Sequence, residues 1–138
     1  MAYAGDIRPT EAWQMLKAEP TAQLVDVRTL PEWSFVGTPN LDSIGKKLIL
    51  LAWQVYPAMQ INPTFADELR RSAPTPETPL LFICRSGTRS RAAAERMTAA
   101  GYGRCYNVAE GFEGQVDAEG HRGHKAGWKA AGLPWNQN

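Results

Sequence analysis

The stretch LLFICRSGTRSRAAAERMTAAG, residues 80–101, decides the fold of this chain. It opens on LLFIC (80–84), a continuous apolar run of the kind a central parallel strand presents when both of its faces are covered. It closes on SRAAAERMTAAG (90–101), where Ala93, Met97 and Ala100 fall on one helical stripe and Gly101 supplies a stop. Between the two lies a polar loop of Arg85, Ser86, Gly87, Thr88 and Arg89.

The alternation continues outward from there. IRPTEAWQMLKAEP (7–20) predicts a helix begun by Pro9 and Thr10 and ended by Pro20. AQLVDVR (22–28) is a short β-rich run, and LPEWSFV (30–36) is a helical turn or two begun by Pro31. The segment 37–47 reads as a loop. LILLAW (48–53) is buried, but six residues do not choose between strand and helix. NPTFADELRRSA (62–73) predicts a helix with Asn62 as N-cap and Pro63 in its first position. RCYNVA (104–109) is a strand, 110–127 is a long loop with five glycines, and WKAAG (128–132) is a short closing helix. Strands that alternate with helices predict an α/β fold, a central mostly parallel sheet with helices on both faces. One domain spanning 1–138 is the natural division. Sites in such sheets form at the carboxyl ends of strands. The candidates are Asp26 with Arg28, Cys84 with its loop, and Asn107 to Glu110.

Composition narrows the function. Hydrophobic residues make up 43% of the 138, enough for a core. Fifteen Lys+Arg against fourteen Asp+Glu leave a net charge of +1, which argues against nucleic acid or a membrane surface as partner. The run 48–59 is too short to span a bilayer and contains Gln54 and Pro57. No signal-peptide pattern opens the chain. Two cysteines, Cys84 and Cys105, are too few for a disulfide scaffold and suit a reducing compartment. The expectation is a soluble, cytoplasmic protein.

The chemistry gathers at residues 84–89. A loop that leads from a strand into a helix turns its amides inward, and the helix start adds partial positive charge. Gly87 permits the backbone angles of a tight cradle. A thiolate there is expected to be stabilised. Arg85 and Arg89 add charge suited to an oxyanion. Together these parts describe an activated cysteine nucleophile beside an anion site. The alternative is an inert buried cysteine followed by solvated arginines.

CRSGTRS (84–90) resembles the active-site loop of rhodanese-domain sulfurtransferases, often Cys-Arg-x-Gly-x-Arg-Ser. LVDVRTLPEW (24–33), YNVAEGFEG (106–114) and GWKAAGLPW (127–135) resemble further motifs of that family in the same order. The resemblance implies a rhodanese-like fold and a thiosulfate sulfurtransferase. Cys84 would take a sulfane sulfur from a small anionic donor, hold it as a persulfide, and pass it to a thiol or cyanide. A protein donor or acceptor is a further possibility. No cofactor and no metal are implied. Asp26 and Arg28 would buttress the site, with Ser90 and Glu110 as further supporting residues. The related phosphatases and arsenate reductases place their arginine six residues after the cysteine. Here Arg89 comes at five, and position 90 is Ser. A shorter ring suits sulfur better than phosphate. Two alternatives remain: that phosphate or arsenate chemistry, and a non-catalytic module that carries sulfur or binds a partner.

Two segments depart from the family. VGTPNL (36–41) keeps only Pro39 of the usual Gly-His-Ile-Pro-Gly-Ala. QVDAEGHRGHKA (115–126) is an insertion before the tryptophan helix, which could form a lid with His121, Arg122 or His124 near the donor, or an idle exposed excursion. His121 and His124 alone make a weak metal site. Cys105 could resolve a persulfide, but a core cysteine is the plainer reading. The five tryptophans read as core and closing residues.

Overall fold

The computed structural model of the chain describes residues 3–122 and 126–137. In chain order its elements are β1 (Gly5–Ile7), α1 (Pro9–Ala18), β2 (Gln23–Asp26), α2 (Leu30–Phe35), β3 (Thr38–Pro39), β4 (Ile49–Leu50), β5 (Gln54–Val55), β6 (Gln60–Ile61), α3 (Phe65–Ser72), β7 (Leu80–Ile83), α4 (Thr88–Ala99), β8 (Cys105–Val108) and β9 (Trp135–Asn136). Five strands make the central sheet in the order β1-β8-β7-β2-β4, and every adjacent pair is parallel.

The apolar run 80–83 forms the middle strand, and all four residues are buried. A strand's side chains alternate between faces. Leu80, Phe82 and Cys84 pack with Phe65 and Leu69 of α3 and with Ala93 and Met97 of α4. Leu81 and Ile83 pack with Ala12 and Leu16 of α1, and with Phe112 and Trp128. Helices thus cover both faces, and the small residues of α4 let it lie close to the sheet. Cys84 leaves the sheet on the α3–α4 face.

Several expectations need correction. The first strand, β1, went unread because it is three residues long; it is defined by pairing with β8, Asp6 opposite Asn107. The undecided 48–53 contains the edge strand β4, and an unforeseen hairpin, β5 with β6, follows it. Helix α3 begins at Phe65 with Thr64 at its cap, so Asn62 and Pro63 precede it. Asn62 Oδ1 instead receives the Thr64 N–H at 3.1 Å. Helix α4 starts at Thr88, two residues earlier than expected. The expected helix 128–132 is a run of turns between Gly127 and Gly132, both at positive φ. Five residues cannot offset the cost of nucleating a helix. The 37–47 loop contains β3, which pairs antiparallel with β9.

Trp128 and Trp53 are buried, whereas Trp135 is 37% exposed. Among the described residues no helix is long and apolar enough to cross a membrane.

Candidate active site

Cys84 directly follows β7, at the carboxyl edge of the sheet, and is 1% exposed. The backbone then turns through Gly87, whose φ of 113° is open to glycine and strained for other residues. That turn brings the Gly87 N–H to 3.1 Å from Cys84 Sγ, a donor aimed at the sulfur. Helix α4 starts at the next residue, so its positive end adjoins the loop.

A cleft of about 620 Å³ opens over this loop. Cys84, Arg85, Ser86, Thr88 and Arg89 line one side. Glu32 and Val36 come from α2, Gln54 and Met59 from the β5–β6 hairpin, and Glu113 and Arg122 from the long loop after β8. Four of the five loop residues expected to meet an anion, Arg85, Ser86, Thr88 and Arg89, thus line the cleft with Cys84.

Arg89 is occupied in a different way. Its Nη1 and Nη2 donate to the two Glu32 carboxylate oxygens at 2.7 and 2.9 Å. Burial pushes the Glu32 carboxyl up, but the Arg89 hydrogen bonds and charge, joined by the Thr29 hydroxyl and amide, bring it down to about 2. The Glu32 hydrogen bonds raise the Arg89 pKa in turn, against the opposing effect of burial. The pair ties α2 to the start of α4 and fixes one wall of the cleft.

A second layer clasps the loop from behind. Gly111, at φ 64°, brings its backbone so close that a Cβ there would lie 2.5 Å from the Cys84 carbonyl oxygen. The next three amides then bond the loop: Phe112 N–H to the Cys84 carbonyl at 2.7 Å, and Glu113 and Gly114 N–H to the Arg85 carbonyl at 3.0 and 3.1 Å. Glu110 Oε1 receives the Gly127 N–H at 3.1 Å, which closes the 110–127 excursion at its base. Asp26 and Arg28 form a fully buried pair, Nη2 to Oδ2 at 2.6 Å. Arg28 also donates to the Gly37 carbonyl at 2.7 Å and lies 4.4 Å from the centre of the Phe112 ring. The two residues brace the fold beneath the site and do not line the cleft.

Ser90, the third residue of α4, is fully buried. Its Oγ lies 3.1 Å from Cys84 Sγ and 2.6 Å from Asn107 Oδ1. Asn107 Nδ2 donates to Asp6 Oδ1 at 3.0 Å, and the Tyr3 hydroxyl donates to the same oxygen at 2.7 Å. A polar chain therefore runs from the sulfur across β8 to β1.

Within the insertion Asp117 organises a turn, its Oδ1 receiving the Glu119 and His121 amides at 2.9 Å each. Arg122 reaches the cleft and donates to the Gly114 carbonyl at 2.7 Å. His121 is exposed and does not line the cleft. His124 lies outside the described residues. Cys105 opens β8 opposite Leu80, at the other end of the sheet from Cys84. The four residues of β7 separate them by about 13 Å, too far for a direct exchange. Burial pushes the Cys105 thiol up to about 11. It is a core residue.

Sequence reasoning missed Glu32 and Gly111 as site residues, and named Asn107 only as the start of a candidate strand end. Glu32 stood in the quoted LVDVRTLPEW and Asn107 at a strand end, but which partner each meets depends on tertiary packing.

The family model described as the STR4 middle domain matches residues 5–138. The crystal structure of Rv0390 from M. tuberculosis is 50% identical, covers 99% of this chain and 100% of its own, and superposes with a TM-score of 0.91. An uncharacterized protein of Rickettsia conorii is 40% identical over 94% of this chain and 95% of its own length. Thiosulfate sulfurtransferase GlpE of Actinobacillus succinogenes is 29% identical over 97% of this chain and 91% of its own.

Proposed function

The chain belongs to the rhodanese-like family, and on that premise we propose that it is a sulfurtransferase whose Cys84 carries a sulfane sulfur as a persulfide. The observation that carries this reading is the Gly87 N–H directed at Cys84 Sγ from 3.1 Å at the floor of an open cleft. A backbone donor held by glycine geometry stabilises charge on sulfur without having to reorganise. Similarity to a thiosulfate sulfurtransferase makes thiosulfate the first donor to try.

The Cys84 thiolate attacks the outer sulfur of thiosulfate. A new S–S bond forms, and the old one breaks with its electron pair leaving on sulfite. The persulfide bears its charge on the outer sulfur, within the cleft that Arg85 and Arg122 line. A thiol or cyanide then attacks that outer sulfur, and the Cys84 thiolate is restored. A cysteine persulfide on a protein partner can serve as donor in the same way, its cysteine thiolate leaving, and a partner's cysteine thiol can serve as acceptor. Arg85 and the loop amides of 85–89 receive the anionic donor. Arg89 acts through Glu32 as a positioning residue. That pairing also disfavours phosphate chemistry, because the fork that would clasp a phosphate is filled by a carboxylate. A free thiol at Cys84 suits a reducing compartment such as the cytoplasm.

The test is incubation with thiosulfate followed by intact mass. We expect one added sulfur atom in the wild type and in Cys105→Ser, and none in Cys84→Ser. Loading that survives Cys84→Ser overturns the proposal. So does hydrolysis of an aryl phosphate by a wild-type protein that takes up no sulfur.

A further inference from the structure

We propose that Asn107, held in one orientation by Asp6, takes the Ser90 proton for itself and keeps it off Cys84. The polarity of the chain dictates this. Asp6 Oδ1 receives the Tyr3 hydroxyl at 2.7 Å and Asn107 Nδ2 at 3.0 Å. The Tyr3 hydrogen bond, with a further contribution from Asn107, holds the Asp6 carboxyl below its usual value, so it is a carboxylate and only accepts. The NH2 end of the Asn107 amide must face it. Asn107 Oδ1 therefore faces Ser90 Oγ, 2.6 Å away. An amide oxygen only accepts, so the single Ser90 proton lies between those two oxygens. The serine lone pairs are left facing Cys84 Sγ at 3.1 Å. A serine so held accepts a hydrogen bond from a thiol and gives none to a thiolate.

Asn107 is thus a positioning residue that acts through Ser90. The arrangement favours a Cys84 Sγ that bears no charge of its own. Two species meet that description: the S–H form, and the inner sulfur of a persulfide, whose charge sits on the outer atom. On the sulfurtransferase reading, which this consequence rests on, the relay favours the loaded enzyme over the bare thiolate. The direction of the proton does not depend on that reading.

The charged groups around the sulfur are Arg85 of the loop, Arg89 of α4, Glu32 of α2, Asp26 at the end of β2 with Arg28 beyond it, and Glu110, Glu113 and Arg122 after β8. The variants that test the relay leave all of these in place. Asp6→Asn keeps the shape but lets both amides turn over. Asn107 can then present its NH2 to Ser90, and the Ser90 proton is released toward the sulfur.

The readout is the pH at which Cys84 alkylation by iodoacetamide is half-maximal, followed at Cys84 by peptide mass. It requires no sulfur donor, so failure of the sulfurtransferase reading would appear in thiosulfate loading and not here. We expect the midpoint to fall by about half to one pH unit in Asp6→Asn, the worth of one hydrogen bond to the charged form. In the Ser90→Ala/Asp6→Asn double variant the fall should be absent relative to Ser90→Ala, because the proton to be released is gone. An unchanged or raised midpoint in Asp6→Asn overturns the proposal. An equal fall in both backgrounds also overturns it, since the loss of the Asp6 charge alone would then account for the shift. A rise of about one unit in Ser90→Ala alone overturns it as well, because it would mean that Ser90 donates to the thiolate in the native protein.

Discussion

Two glycines at nearly the same backbone angle show how much of the site depends on a single missing methyl group. Gly111 and Gly45 sit at φ 64° and 68°. A Cβ at Gly45 would meet nothing within 4 Å, whereas one at Gly111 would lie 2.5 to 2.6 Å from the backbone of Cys84 and Arg85. Backbone cannot swing aside as a flexible side chain can. Gly45→Ala should cost about 1 kcal/mol, the price of a left-handed non-glycine residue. Gly111→Ala should add overpacking to that and cost about 2–4 kcal/mol in all. It should also slow sulfur loading, because the amides of 112–114 that grip the Cys84 and Arg85 carbonyls would be displaced. Urea midpoints for the two variants, with loading followed by intact mass, check both statements. Equal destabilisation by the two substitutions would contradict the close-approach argument.

Elements divide according to whether their signal is local. Helices α1 and α4 and strands β2, β7 and β8 were legible because apolar periodicity or a buried run repeats over enough residues to be seen. The cysteine loop was legible because its chemistry is contiguous from 84 to 89. The strands β1, β3, β5, β6 and β9 were not, because each is two or three residues long and exists only through its partner. The Glu32–Arg89 clamp was hidden by a separation of 57 residues. Lys46 gives a further case. The sequence showed it only as a lysine in a turn-rich loop. Its Nζ donates to the carbonyls of Glu19, Pro20 and Ala22 at 3.0, 3.1 and 2.6 Å, and so caps the chain leaving α1. Burial lowers the Lys46 pKa, opposed by the Glu19 charge. The acceptors are backbone atoms, which no side-chain pattern announces. Lys46→Met keeps the aliphatic stem and removes the donors. It should cost about 1–3 kcal/mol in urea unfolding and raise amide exchange at 19–22. A change confined to the amides of 46 itself would show that the lysine does not hold that turn.

At the scale of the molecule, acidic side chains join segments that are far apart in sequence. Glu19 meets Arg104, Glu32 meets Arg89, and Asp6 meets Asn107. All three carboxyls are held below their ordinary values. Such a group stabilises the fold above its unfolded pKa, and the contribution is lost as pH falls through the folded one. For Glu32 that window runs from the ordinary value of 4.5 down to about 2. Its side chain is 20% exposed, so solvent screens little of the interaction. Glu32→Gln approximates the protonated carboxyl at every pH. Compared with wild type it should be less stable by about 1–3 kcal/mol at pH 7 and equally so at pH 5.5. The gap should narrow steadily below pH 4.5, fall to about a quarter of its pH 7 value by pH 2.5, and close only as pH drops through about 2, where the wild-type residue reaches the neutral state that glutamine mimics. Glu19 and Asp6 titrate alike in both proteins and cancel in the difference. Urea unfolding free energies of the two proteins across that range measure the gap directly. A gap that stays constant to pH 2.5 would mean that Glu32 contributes through packing and that its charge does not join α2 to α4.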